Sequence, residues 1–163
     1  MRPVKPLVTR PISWIDQAPL AARGTATTSA SPSEVFAVLA DHERWPEWFG
    51  NVKRVEVLGP AAGVGARRRV TVPGLVVDEE FIVWDEGERW AFTATAARPA
   101  LFRSLVEDCV LTARPDGGTD LSYTMYFQPR PLVAPLMRLG SGLLGRTIDS
   151  AMRGLAARAE GRP

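Results

Sequence analysis

The sequence predicts an α+β fold in which one antiparallel sheet of seven strands is followed by a long C-terminal helix. Three observations carry that prediction. Six successive stretches of strand character between Val52 and Gln128 are divided by turn residues and by no segment of helical length, so the sheet must be antiparallel and largely meandering. A capped helix precedes them, and amphipathic periodicity from about Pro131 to Ala159 follows them.

Residues 1–19 carry Pro3, Pro6 and Pro11 and no sustained periodicity, so they are expected to form an extended arm pinned by Trp14 and Ile15. The domain is expected to cover residues 20–160. Small residues and threonines from Ala21 to Ser29 suit a first strand. SPSE at 31–34 then starts a helix, with Ser31 as N-cap, Pro32 at the first helical position and Glu34 closing a capping box. Val35, Phe36, Val38 and Leu39 give this helix an apolar stripe. Pro46 stops a regular continuation, leaving the aromatic segment HERWPEWFGN at 42–51 as a second short helical piece.

The six later strands are expected at Val52–Leu58, Arg67–Val72, Leu75–Trp84, Trp90–Thr95, Leu101–Ala113 and Asp120–Gln128, with PDGG at 115–118 as a hairpin turn. In the final helix Leu136, Leu139, Leu143, Leu144, Ile148, Ala151 and Leu155 are grouped on one face, opposite Arg138, Arg146, Asp149 and Arg153. Gly140, Gly142 and Gly145 weaken that helix by up to about 1 kcal/mol each relative to alanine.

Composition narrows the function classes. With 163 residues, 45% hydrophobic and 23% charged, the chain has the makeup of one globular domain with room for a cavity. No apolar run approaches the roughly 20 residues of a membrane span, and the proline-broken start has no secretory h-region, so no stable membrane insertion and a cytoplasmic location are expected. One cysteine, Cys109, and one histidine, His42, leave no basis for a disulfide or a transition-metal site, and no cofactor is expected. The net charge of +2 argues against nucleic acid as a partner. Arg67-Arg68-Arg69 is the one dense basic run and reads as a solvated strand edge. GSGLLG at 140–145 spells a dinucleotide fingerprint, but it lies inside a helical pattern after an antiparallel sheet, where no turn delivers a phosphate to a helix N-terminus. GPAAGVGAR at 59–67 lacks the ending and the following helix of a phosphate loop.

The stretch ASPSEVFAVLADHERWPEWFGNV resembles the opening of the polyketide cyclase/dehydrase branch of the START-related, Bet v-allergen-like superfamily (SRPBCC). Ala30, Pro32, Glu34, Val35, Phe36, Leu39, Asp41, Pro46 and Trp48 fill its pattern, and DEGERWAF and GGTDLSY match further strands. The resemblance covers about residues 20–159. It implies a helix-grip fold, with the curved sheet wrapped around the C-terminal helix, two short helices between the first and second strands, and a ligand cavity between sheet and helix.

Period-two alternation then orients the side chains. Leu121, Tyr123, Met125 and Phe127 share the inner face of the last strand. Val70 and Val72; Val77, Glu79, Phe81 and Val83; Trp90 and Phe92; and Leu105, Glu107, Cys109 and Leu111 are expected inside, although a slip of one residue reverses each set. The expected ligand-binding residues are Trp48, Phe49, Val70, Val72, Glu79, Phe81, Trp90, Phe92, Phe102, Tyr123, Met125, Phe127, Leu136, Leu139 and Leu143. Trp48 and Phe49 are taken to turn inward, with Trp45 nearer the rim.

Glu79 and Glu107 are the sharper feature, because a carboxylate among apolar groups needs a raised pKa or a cationic partner. Glu79 is expected to orient a ligand hydroxyl or carbonyl, with Tyr123 as hydrogen-bond partner and Arg68 or Arg103 as counter-charge. Three functions stay open. One is binding or transport of a lipid, polyketide or isoprenoid-like molecule, which the absence of any triad or metal set favours. Another is a polyketide cyclase or dehydratase with Glu79, Glu107 or Tyr123 as acid or base. The last is a protein-interaction module. Ligand identity, oligomeric state and pathway are not legible.

Overall fold

The computed structural model describes residues 3–162, and the fold is the α+β helix grip. A two-residue strand β1 (Lys5–Pro6) and a 3₁₀ turn (Ile12–Gln17) lead into β2 (Leu20–Thr28), α1 (Pro32–Ala40) and a second 3₁₀ turn (His42–Glu47). Then come β3 (Arg54–Val57), β4 (Arg67–Val72), β5 (Leu75–Asp85), β6 (Arg89–Arg98), β7 (Phe102–Ala113), β8 (Thr119–Pro129) and α2 (Ala134–Ala159). The main sheet runs β2-β8-β7-β6-β5-β4-β3, every pairing is antiparallel, and β1 pairs with β6 off this path. Helix α1 and the second 3₁₀ turn therefore carry the chain from one sheet edge to the other.

Local chemistry fixes the elements. At α1 the Ser31 hydroxyl accepts from the Glu34 amide while the Glu34 carboxylate accepts from the Ser31 amide at 2.7 Å, a complete capping box. The sheet bends at register shifts between Asp78 and Glu79, Phe81 and Val83, and Phe102 and Ser104, as extra residues in a ladder do. The second of these corrects one expected orientation. Past it Trp84 turns to the inner face, edge-on to Phe36 and His42, while Val83 is half-buried.

Helix α2 packs chiefly on β2, with α1 and β8 beside it. Two glycines permit this approach. A Cβ on Gly24 of β2 would stand 2.7 Å from Ile148 Cγ2, and one on Gly154 of α2 would run into the Trp48 carbonyl oxygen. The helix residues that are fully buried, Ile148, Ala151, Met152, Leu155 and Ala156, all lie in its C-terminal half. No helix among the described residues is long and apolar enough to cross a membrane.

The N-terminal segment runs along the sheet where β6 and β7 part. Their ladder ends at Thr93 opposite Val106. Beyond it Lys5 and Pro6 pair with Ala97 and Ala96, the Leu7 amide donates to the Thr95 carbonyl, and the Val8 amide donates to the Arg103 carbonyl. Arg10 donates to the Thr93 and Ser104 hydroxyls, and Trp14 is buried.

Candidate functional site

Between the inner face of the sheet and the first half of α2 lies a cavity of about 380 Å³, within the range of small-molecule sites. Its walls follow strand parity: Arg68, Val70 and Val72 from β4; Leu75, Val77 and Glu79 from β5; Leu105 and Glu107 from β7; Tyr123, Met125 and Phe127 from β8. Phe102 lies at the β7 bulge. Trp45, Phe49, Asn51 and Val52 close one end, Pro73 and Leu101 border it, and α2 contributes Met137, Leu144, Thr147 and Ile148.

Of the residues expected from sequence, Phe49, Val70, Val72, Glu79, Phe102, Tyr123, Met125 and Phe127 stand on this wall. Phe81, Trp90 and Phe92 point to the same face of the sheet but are buried and off the lining, because they pack around the Arg68 side chain. Trp48 is buried against α2. Trp45, expected near the rim, takes the lining position instead and stacks on Trp90.

Leu136, Leu139 and Leu143 are corrected outright: they are 72%, 86% and 70% exposed. A helix turns about 100° per residue, which sets Met137, Leu144 and Ile148 on one stripe and these three leucines on the next.

The polar part of the wall is a buried cluster centred on Arg68, which is 1% exposed. Its Nε donates to Glu79 Oε2 at 2.6 Å, and its Nη1 donates to His42 Nδ1 at 3.2 Å. Because an arginine can only donate, Nδ1 of His42 is the acceptor, and Nε2–H donates to the Ala61 carbonyl at 2.9 Å. Burial first, and then the Arg68 charge, hold this imidazole down to about 4, so it is neutral.

Nη2 of Arg68 has no hydrogen-bond partner among the described protein atoms. The guanidinium carbon instead lies 3.9 Å from the Trp45 ring centroid and 4.9 to 5.3 Å from those of Trp90, Phe92 and Phe81. Electron-rich ring faces thus take over part of the solvation that water would give.

Glu79 and Glu107 are both buried, as the parity frame expected. Burial raises Glu79 above the usual carboxylate range, and Arg68 opposes that shift. Burial, reinforced by the charge of Glu79, pushes Glu107 up to about 8. The Tyr123 hydroxyl donates to Glu107 rather than to Glu79, since Tyr123 lies diagonally across the β7–β8 ladder from Glu107, whose direct partner is Met125. Arg103 is exposed and takes no part.

The cluster thus joins the Arg68–Glu79 pair, a neutral imidazole and, at neutral pH, a largely protonated Glu107 carboxyl. A protonated carboxyl in an apolar wall can donate a hydrogen bond to a ligand oxygen, which an ionised one cannot. No group of three or more His, Cys, Asp or Glu among the described residues is placed to hold a metal ion.

Sequence reasoning read Arg67-Arg68-Arg69 as a solvated edge yet also named Arg68 as a possible counter-charge of Glu79, the role it takes here, and it missed His42. The signal for Arg68 was available, because Val70 and Val72 facing inward put the residue two before them inward as well.

Comparison with known proteins agrees with the architecture. A family model described as polyketide cyclase / dehydrase and lipid transport matches residues 20–160. An uncharacterized protein of Mycobacterium tuberculosis strain H37Rv is 34% identical over 116 residues, 70% of this chain and 69% of its own. Among solved structures, the Zhui aromatase/cyclase from Streptomyces sp. R1128 is similar with a TM-score of 0.72 at 19% identity, covering 86% of this chain and 93% of that one. A START superfamily protein from Mycobacterium smegmatis gives 0.71 at 16% identity, covering 86% and 97%.

Proposed function

Because the chain belongs to the polyketide cyclase/dehydrase and lipid transport family, we propose that it binds a hydrophobic small molecule in the cavity between sheet and α2, within residues 20–160. The ligand is a lipid, polyketide or isoprenoid-like molecule with an oxygen function at one end. One observation supports this best: an apolar cavity of about 380 Å³ whose titratable lining residues, Arg68, Glu79 and Glu107, are gathered into one cluster around the Arg68–Glu79 contact. Such a wall takes up apolar area by excluding water, at about 25 cal/mol per Å². It leaves Glu107 and Tyr123 to orient a carbonyl or hydroxyl. We place the protein in the cytoplasm, where the lone buried thiol of Cys109 stays reduced.

Native mass spectrometry of the purified protein, followed by extraction, tests the proposal. An apolar molecule should leave chemically unchanged, and the neutral probe phenylnaphthylamine should brighten on uptake. Leu105→Trp, which fills the cavity, should lose both signals. A protein that neither carries nor takes up any apolar molecule refutes binding.

A second reading is favoured by one specific feature, the proton that Glu107 retains up to about pH 8 beside Tyr123. A cyclase or dehydratase would use that carboxyl as general acid toward a poly-β-keto chain, and the Streptomyces neighbour is named as an aromatase/cyclase. Turnover of a synthetic poly-β-keto thioester that disappears in Glu107→Gln, with probe uptake intact, selects this reading. No turnover by the unsubstituted protein rejects it.

A further inference from the structure

Seven large apolar side chains are exposed among the described residues, and four of them, Leu132, Leu136, Leu139 and Leu143, fall within one short stretch at the start of α2. Leu132 is 98% exposed. Leu136, Leu139 and Leu143 follow one another at three- and four-residue steps, so they form a single stripe. Nothing among the described residues covers it: a Cβ on Gly140 or Gly142 would meet no described atom within 4 Å.

The charges of the same segment have one sign. From residue 130 to residue 146 the charged residues are Arg130, Arg138 and Arg146, with no acid among them. All three are exposed, and none of their guanidinium groups makes an ion pair or hydrogen bond to the described residues, whereas Arg44, Arg54, Arg67, Arg69, Arg89 and Arg114 each face a carboxylate. The segment also forms part of the cavity wall, through Met137 and Leu144.

We propose that the first half of α2 is a docking face for an anionic lipid surface, with the four leucines entering the acyl boundary and Arg130 and Arg146 meeting the headgroups. Apolar cargo crosses at the adjoining cavity mouth, a second step that rests on the binding function above. An amphipathic helix with leucines on one side and arginines as its charged groups associates with a membrane in this way, and each arginine near an anionic surface adds attraction. A second copy of the chain fits less well. A two-fold contact sets the same patch against itself, and that would bring arginines together with no acid on the segment to neutralise them.

Co-sedimentation of the full chain with vesicles tests the docking face directly. The protein should partition onto vesicles of phosphatidylcholine and phosphatidylglycerol in equal parts, weakly onto phosphatidylcholine alone, and less as salt is raised. Leu139→Ser with Leu143→Ser should lower partitioning at least about tenfold. Arg130→Gln and Arg146→Gln should each lower it about fivefold on the anionic vesicles only. These positions are exposed, so thermal melting should show the fold unchanged. Leu105→Trp should keep vesicle binding although it loses cargo, which separates failure of docking from failure of the cavity. Absence of binding to the anionic vesicles overturns the proposal, as does binding that survives the leucine changes. A dimer in sedimentation velocity that the leucine changes dissolve also overturns it, in favour of self-association.

Discussion

Replacing Glu107 with glutamine isolates the energetic consequence of a carboxyl buried beside a second carboxylate. In the folded chain Glu107 keeps its proton up to about pH 8, while an ordinary glutamate releases it near 4.5. Between those values the folded state binds one proton more than the unfolded state, so stability falls as pH rises through the window and levels off above it. At about 1.4 kcal/mol per pH unit, the interval from 4.5 to about 8 caps the loss at about 5 kcal/mol. Glutamine has nearly the same shape, is neutral throughout, and its carboxamide oxygen can still accept from the Tyr123 hydroxyl.

Urea unfolding of the two proteins should therefore nearly coincide at about pH 5, and the variant should be the more stable by several kcal/mol at about pH 9. Titrating groups that do not interact with Glu107 are common to both proteins and cancel in the difference, and the charge coupling to Glu79 is part of the effect measured. A stability difference that is the same at both ends of the range would refute the burial argument, because it would mean that Glu107 titrates alike in the folded and unfolded chains.

Two further substitutions probe the packing. Arg68→Met removes the counter-charge of Glu79 and should cost about 3 to 5 kcal/mol in urea unfolding, while Arg68→Met with Glu79→Gln should recover most of it. A loss below about 1 kcal/mol for the single change would show that Glu79 is not ionised there. Gly154→Ala should destabilise by about 1 to 3 kcal/mol, since the methyl meets the Trp48 carbonyl. Gly140→Ala, facing open space in the same helix, should stabilise by up to about 1 kcal/mol. Melting temperatures that shift in the same direction would contradict the close approach at Gly154.

The order of elements was legible because each one announces itself locally: SPSE as a capping box, PDGG as a turn, alternation along Leu121 to Phe127. Strand parity also carried Val70, Glu79, Glu107 and Tyr123 to the inner face. What escaped was set by three-dimensional packing. Local alternation cannot foresee a bulge, so Val83 and Trp84 exchanged sides. Hydrophobicity cannot tell which of two adjacent apolar stripes on α2 meets the sheet, so Leu136, Leu139 and Leu143 were placed inside and Met137 went unnoticed. Nor does composition say that an arginine will be stacked among Trp45, Trp90, Phe81 and Phe92. That arrangement needs rings from the second 3₁₀ turn, β5 and β6 to converge on one guanidinium.

The N-terminal segment along β6 and β7 bears on how the chain assembles. Its contacts join residues 5–10 to residues 93–104, separations of more than eighty positions. Closing so long a loop is entropically costly before any of these bonds forms, so the arm should settle only after the meander exists. Until then the Thr95 and Arg103 carbonyls remain open to solvent, and the sheet has a third exposed edge in its middle, besides those at β2 and β3. Unpaired strand backbone of that kind recruits other chains. Residues 5–10, none of which lines the cavity, thereby act as a seal against strand exchange during folding.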